Sequence, residues 1–256
     1  MGKLIRMDLY RMLKSRAFLV CLILTFVLAL ANAPLAKLMF TLANSLSAEI
    51  NETFAAEADL SGILGEPFPM VNAMLALLSL CYFFYADVEN GYIKNIAGQM
   101  PMRGFTVLSK FQAAVVHNLI FAAAGIIGNL IGTLVVQRVV ADAGVTDSVR
   151  VLLLKLLLFQ SLCAILLLVV STLRSKSLGM ILAVLFGLGL TSLLYMGINE
   201  GLKPIFGQAT DISKYMPDTV MGEKPLDTMK AILVALVTGG VFLPLAIRIF
   251  DRKDVK

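Results

Sequence analysis

The chain has 256 residues, 59% of them hydrophobic and only 15% charged, with 22 Lys and Arg against 17 Asp and Glu. So much apolar surface excludes an ordinary soluble domain, and six spans of about 20 residues each would leave no room for a catalytic domain beside them. The net charge of +5 is no nucleic-acid signature, because the bases gather at the ends of apolar runs instead of on one polar face.

Residues 1–16 form a basic amphipathic segment. Ile5, Leu9, Met12 and Leu13 share one helical face, with Lys3, Arg11 and Lys14 opposite, the pattern of a helix lying in the membrane interface. The plainer alternative is a basic tail that only sets topology. A first span is expected over 17–36, its apolar stretch closing at Ala33 with Pro34 behind it. Ala31-Asn32-Ala33 has the form of a signal-peptidase site, but a following proline is a poor cleavage context, so the helix is expected to be retained. Residues 37–69 carry Glu49, Glu52, Glu57, Asp59 and Glu66 against Lys37, and read as a long outer connection with some helix over 38–58. The second span is expected over 70–86.

A polar segment follows at 87–110. Asp87 and Glu89 come directly after the apolar run, and Lys94 lies near Asp87 on a helical wheel. Gly91, Gly98, Pro101 and Gly104 allow short helical pieces separated by bends. Ile93, Ile96, Met100 and Phe105 are interleaved with the charges, as in a surface that docks on a partner. On the residues alone, an ordinary positive-inside loop with incidental apolar residues fits equally well.

The third span, 111–136, has the most polar interior of the set, with Gln112, His117, Asn118 and Asn129. Gly128 and Gly132 are spaced for close helix approach. His117, Asn118 and Asn129 are candidates for a polar substrate path, the plainer reading being hydrogen bonds between helices. A short outer loop leads to the fourth span, 152–173, where Lys155 is close enough to the end to snorkel. Arg174 and Lys176 mark a tight inner turn before the fifth span, 178–198. Residues 199–229 contain Pro204, Pro217 and Pro225 among mixed charges. The sixth span, 231–247, contains Pro244 as a possible bend, and a basic tail closes the chain. Cys21, Cys81 and Cys163 all sit inside apolar runs without close spacing, as packing residues do.

The expected fold is therefore an all-α polytopic membrane protein, a single domain over 1–256 with six transmembrane helices. The inner segments hold 14 of the 22 bases and the outer connections 12 of the 17 acids, which places both termini in the cytoplasm. The chain has no G-x-x-x-x-G-K-[ST], no G-x-S-x-G and no H-E-x-x-H, and its single histidine makes a catalytic dyad improbable. Few acids fall in mid-membrane, against a proton- or sodium-coupled carrier. A bundle without its own energy source is expected to be driven by a separate ATPase.

The order acidic residue, Glu89-Asn90-Gly91, Tyr92-Ile93-Lys94-Asn95, Gly98-Gln99-Met100-Pro101, Arg103-Gly104, Leu108-Ser109-Lys110 resembles the loop between the second and third transmembrane helices of ABC-2-type transporter permeases, of the bacitracin- and lantibiotic-resistance kind. Tyr92 stands where that family usually has Thr, and Pro101-Met102 where a Ser is common; the Gly-x-Ile-Lys-Asn core is intact. Chain length, the basic start and the Phe250–Asp254 ending extend the resemblance along the whole chain, though only the central loop is specific. The resemblance implies a permease subunit, not itself an enzyme, of a bacterial cytoplasmic-membrane exporter. It implies an interfacial helix at 1–16 and a cytoplasmic coupling helix within 87–110. It also implies two copies of an ATP-binding subunit, which hold the ATP and Mg, and a second permease, identical or homologous. Asp87, Glu89, Lys94 and Arg103 would be polar contacts to the ATPase, with Ile96, Met100 and Phe105 as apolar anchors. The implied cargo is an amphipathic peptide or antibiotic, and part of 199–229, such as 202–206, would dip back into the membrane. The competing readings are a membrane scaffold or sensor subunit without transport, and an intramembrane enzyme or autonomous channel, which the lack of paired catalytic residues and of a charged pore ring disfavours.

Overall fold

The computed structural model describes residues 2–46, 55–89, 104–142, 144–173, 175–206 and 211–252. Within them the chain forms α1 (Gly2–Leu13), α2 (Arg16–Leu46), β1 (Glu57–Asp59), α3 (Leu60–Gly65), α4 (Met70–Glu89), α5 (Gly104–Val136), β2 (Arg138–Val140), α6 (Val145–Leu173), α7 (Lys176–Gly187), α8 (Thr191–Phe206), a 3-10 turn (Ile212–Tyr215), α9 (Pro217–Met221) and α10 (Thr228–Arg252). Five stretches, Arg16–Ser45, Leu60–Ala86, Gly104–Val136, Val145–Leu173 and Thr228–Asp251, are long and apolar enough to cross a membrane. The chain is thus an α-helical, multi-pass membrane protein by length and composition.

Two expectations about the spans change. The first span, expected over 17–36 with its apolar stretch closing at Ala33, is one helix that continues through Pro34 to Leu46. A proline cannot donate to the carbonyl four residues back, so Pro34 leaves the Leu30 oxygen without its usual amide. That oxygen lies against Gly132 of α5, where a Cβ would come within 2.1 Å of it. The neighbouring helix covers what the proline exposes, and α2 does not break. The continuous fifth span expected over 178–198 is instead two helices, Lys176–Gly187 and Thr191–Gly201, meeting at 99°. The α7 end is a Schellman motif. Gly189 takes φ +67°, its N–H reaches the Phe186 carbonyl at 3.3 Å, and the Leu190 N–H reaches the Leu185 carbonyl at 2.9 Å. Residues 202–206, expected as a short dip, are the last residues of α8, which starts at Thr191.

Helices α2 and α5 run parallel, since Phe26 meets Gly128 and Leu30 meets Gly132, an offset that stays constant along the pair. Helices α6 and α10 also start from one end of the bundle, where Arg150 donates to Thr228 Oγ1. Helix α4 returns between these pairs and packs against α7. The core is formed by Phe18, Leu77, Leu80, Phe84, Phe121, Phe159 and Leu166 among others, with Phe68 stacked on Phe159 at a ring separation of 4.1 Å. At one end, β1 and β2 pair in parallel with Glu57 opposite Arg138 and Asp59 opposite Val140, a feature not foreseen from the sequence. The same end carries α3, α8 and α9. The other end carries α1, the last turn of α4, the first of α5 and the last of α10, so both ends of the described chain lie together.

Candidate functional site

The segment singled out by the sequence, 87–110, is described only at its two ends. Lys94, Ile96, Met100 and Arg103 fall outside the described residues, and Asp87 has a helical backbone in α4 without a described side chain. Residues 104–110, expected as loop, are the first two turns of α5. The structure therefore reveals how the segment is fastened.

Each fastening reaches a different helix. Glu89, the last residue of α4, lies 3.3 Å from Lys176 at the start of α7, whose ammonium also sits 3.7 Å above the Tyr82 ring. At the far end, the Gly104 N–H donates to the Asp251 carboxylate of α10. An unsatisfied amide at a helix start favours such an acceptor. One turn on, Ser109 Oγ donates to Asp8 of α1, and both groups are buried. Lys110 Nζ, only 6% exposed, donates to the Phe84 carbonyl of α4 at 2.7 Å. Phe105 is half-buried beside these contacts. Asp8 explains the seat of α1. Its buried stripe is Leu4, Asp8 and Met12 rather than the expected Ile5, Leu9, Met12 and Leu13 face, because a buried carboxylate must meet its donor. A lone acid at the i+4 position between Leu4 and Met12 was the available signal, and sequence reasoning missed it; Ser109, Lys110 and Lys176 were noted there without their partners, and Asp251 only as part of the closing segment.

Midway along the bundle, the candidate path residues His117 and Asn118 form a closed polar network. His117 Nε2 is 3.1 Å from Ser79 Oγ of α4, and its ring stacks on Phe121 with 4.3 Å between centroids. Asn118 Nδ2 donates to Gln160 Oε1 at 2.8 Å and approaches Cys163 Sγ of α6, while Gln160 Nε2 reaches the Phe111 carbonyl at 3.0 Å. Both residues are almost fully buried, at 0% and 2% exposure. This arrangement of side chains joins three helices, α4, α5 and α6. Asn129 is not among them. It accepts from Asn32 Nδ2 at 3.5 Å and lies three turns further along α5, about 18 Å by helical rise.

At the end away from α1, Glu66 bridges two lysines, Lys155 of α6 and Lys224 of the connection before α10, both at 2.8 Å. Lys155, expected to snorkel, is buried at 5% exposure and paired instead. These residues line a cavity of about 440 Å³ with Arg150 and Glu223. Above it, Thr191, Tyr195 and Asn199 make one face of α8. The first two donate to Asp218, and Asn199 Nδ2 donates to Asp211 at 2.9 Å.

The chain was compared with protein-family models, curated proteins and solved structures, and none matches.

Proposed function

We propose that the chain is the membrane subunit of an ATP-driven exporter. In this reading a separate ATP-binding subunit presses on the segment between α4 and α5, and amphipathic peptide or antibiotic cargo leaves along the permease. The observation that carries this reading is the set of fastenings around the segment: Glu89 to Lys176, Gly104 to Asp251 and Ser109 to Asp8. A load applied between residues 90 and 103 passes through these bonds into α7, α10 and α1 together. A solvated connection needs no such attachments. The long apolar helices supply the membrane body, and the lack of a phosphate-binding loop in the sequence agrees with an energy source on another chain. The loop resemblance to ABC-2-type permeases names the class of machine, and a bacterial inner membrane with cytoplasmic termini follows from it as part of the proposal. Fold-level likeness does not fix cargo, so the cargo class rests on that resemblance alone.

The test is affinity purification of the full chain from its native membrane, followed by ATPase assay of the eluate with and without bacitracin or a lantibiotic. An ATP-binding subunit should co-purify, and Glu89→Lys or Phe105→Ala should reduce stimulated hydrolysis at least tenfold while the variant still inserts. Absence of any ATPase in the eluate would refute the proposal.

A further inference from the structure

The cavity of about 440 Å³ at the end away from α1 holds charges that its own ion pairs leave unmatched. Glu66 is shared by Lys155 and Lys224, and Glu223 is taken by Lys230 at the start of α10. Arg150 donates to Thr228 Oγ1 and has no carboxylate partner among the described residues. Asp147, one turn before it on α6, has no cationic partner among them either. Both line the cavity and both are exposed. The cavity thus offers one unmatched cation, one unmatched anion, and two lysines that divide a single carboxylate.

The length of α6 sets the depth of these groups. Its 29 residues rise about 43 Å, against a hydrocarbon layer of about 30 Å. Counted back from Leu173, about nine residues at the start of α6 stand outside that layer, Asp147 and Arg150 among them. Leu153 and Leu157, three and seven positions after Arg150, share its side of the helix and are 61% and 40% exposed. An ionic cavity at headgroup depth therefore opens beside an apolar flank.

We propose that this cavity seats the phosphoethanolamine headgroup of a phospholipid, with the phosphate against Arg150 and Lys224 and the primary ammonium against Asp147. A guanidinium suits a phosphate because its N–H groups meet two oxygens at once. A primary ammonium brings three donors to the carboxylate, which a quaternary one lacks. The acyl chains lie along Leu153 and Leu157, an apolar contact that free phosphoethanolamine does not make. The volume falls in the range of small-ligand sites. This inference rests on the membrane character of the chain and is independent of the exporter proposal.

The experiment gives the detergent-purified full chain phosphatidylethanolamine, phosphatidylglycerol, phosphatidylcholine or free phosphoethanolamine. Retained lipid is counted by native mass spectrometry, and the thermal midpoint is followed. Phosphatidylethanolamine should remain bound at one molecule per chain and raise the midpoint most. Arg150→Gln should lower its retention about fivefold, the worth of one base beside an anionic headgroup. Asp147→Asn should reduce retention of phosphatidylethanolamine to that of phosphatidylglycerol. Arg138→Gln, exposed on β2 and outside the cavity, should change neither. Equal retention of phosphatidylethanolamine and phosphatidylcholine overturns the proposal, as does an equal midpoint rise with free phosphoethanolamine. An equal loss in Arg138→Gln and Arg150→Gln also overturns it, since that would mean diffuse attraction to the surface. So does a preference for phosphatidylethanolamine over phosphatidylglycerol that survives Asp147→Asn, which would leave Asp147 a helix-start carboxylate only. If Arg150→Gln does not fold, the native chain and Asp147→Asn, which breaks no ion pair, decide the matter.

Discussion

Pro34 withholds the amide that would have bonded the Leu30 carbonyl, and Gly132 brings its backbone onto that oxygen. Contacts of this kind, a glycine Cα against a carbonyl, recur where helices approach closely in membranes. Because the obstructing atom is backbone, any side chain at 132 must push α2 and α5 apart. Gly132→Ala should therefore lower the unfolding midpoint, and Gly132→Val should cost about 1–3 kcal/mol, the usual range for an overpacked site. Gly197→Ala is the control, since a Cβ there meets nothing within 4 Å, and its midpoint should stay level or rise. The spacing of Gly128 and Gly132 was readable in the sequence. Their partner was not, because nothing in the residues near Pro34 says which helix will cover the exposed carbonyl. The same limit applies to His117, whose polar character was evident while Ser79 opposite it, 38 positions away, was not.

At the scale of elements, apolar runs gave good span positions where they ended in charges, as at Glu89 of α4. They failed where backbone geometry decides the ending. Gly187 and Gly189 look like ordinary small residues in a hydrophobic run, and only the positive φ at Gly189 turns the chain. The β1–β2 pairing depends on a contact between segments some 80 residues apart, invisible to local pattern. Asp142 sets the joint beyond that pairing. It accepts the Ser61 N–H at 3.2 Å and the Gly144 N–H at 3.3 Å, linking the start of α3 to the turn before α6. The hydrogen bonds from Ser61 hold its carboxyl below the ordinary carboxylate value, ahead of the opposing effect of burial. A lowered value means that the charged form is the one the fold favours. The link is thus intact above the ordinary aspartate range and is lost as pH falls through the lowered value. Hydrogen exchange at the Ser61 and Gly144 amides should accelerate on acidification, relative to intrinsic exchange, and Asp142→Asn should abolish that pH dependence.

Across the whole molecule, the two ends differ in how they are joined. The end carrying α1 is held by separate bonds around the 90–103 segment, whereas the opposite end converges on Glu66, shared between Lys155 and Lys224. The two lysines are unequal, with side chains 6% and 76% exposed. An exposed pair contributes little, about 0–1 kcal/mol, while loss of a buried charged partner is felt more strongly. Lys155→Met should accordingly destabilise the bundle by about 1–3 kcal/mol in a denaturant titration, and Lys224→Met by well under 1 kcal/mol. Charge counting could place these residues on one side together, but it could not pair them, because the pairing needs α3, α6 and the approach to α10 in register.

The bend after Gly187 bears on the surrounding bilayer. Twelve residues of α7 rise about 18 Å, against a hydrocarbon layer of about 30 Å. Beyond that height the chain lies sideways as α8, showing Leu193, Leu194, Met196 and Ile198 outwards. Acyl chains beside that flank would meet a shelf instead of a wall and would have to shorten or splay there. A bilayer around the molecule is therefore expected to be thinner beside α7 than beside the straight spans.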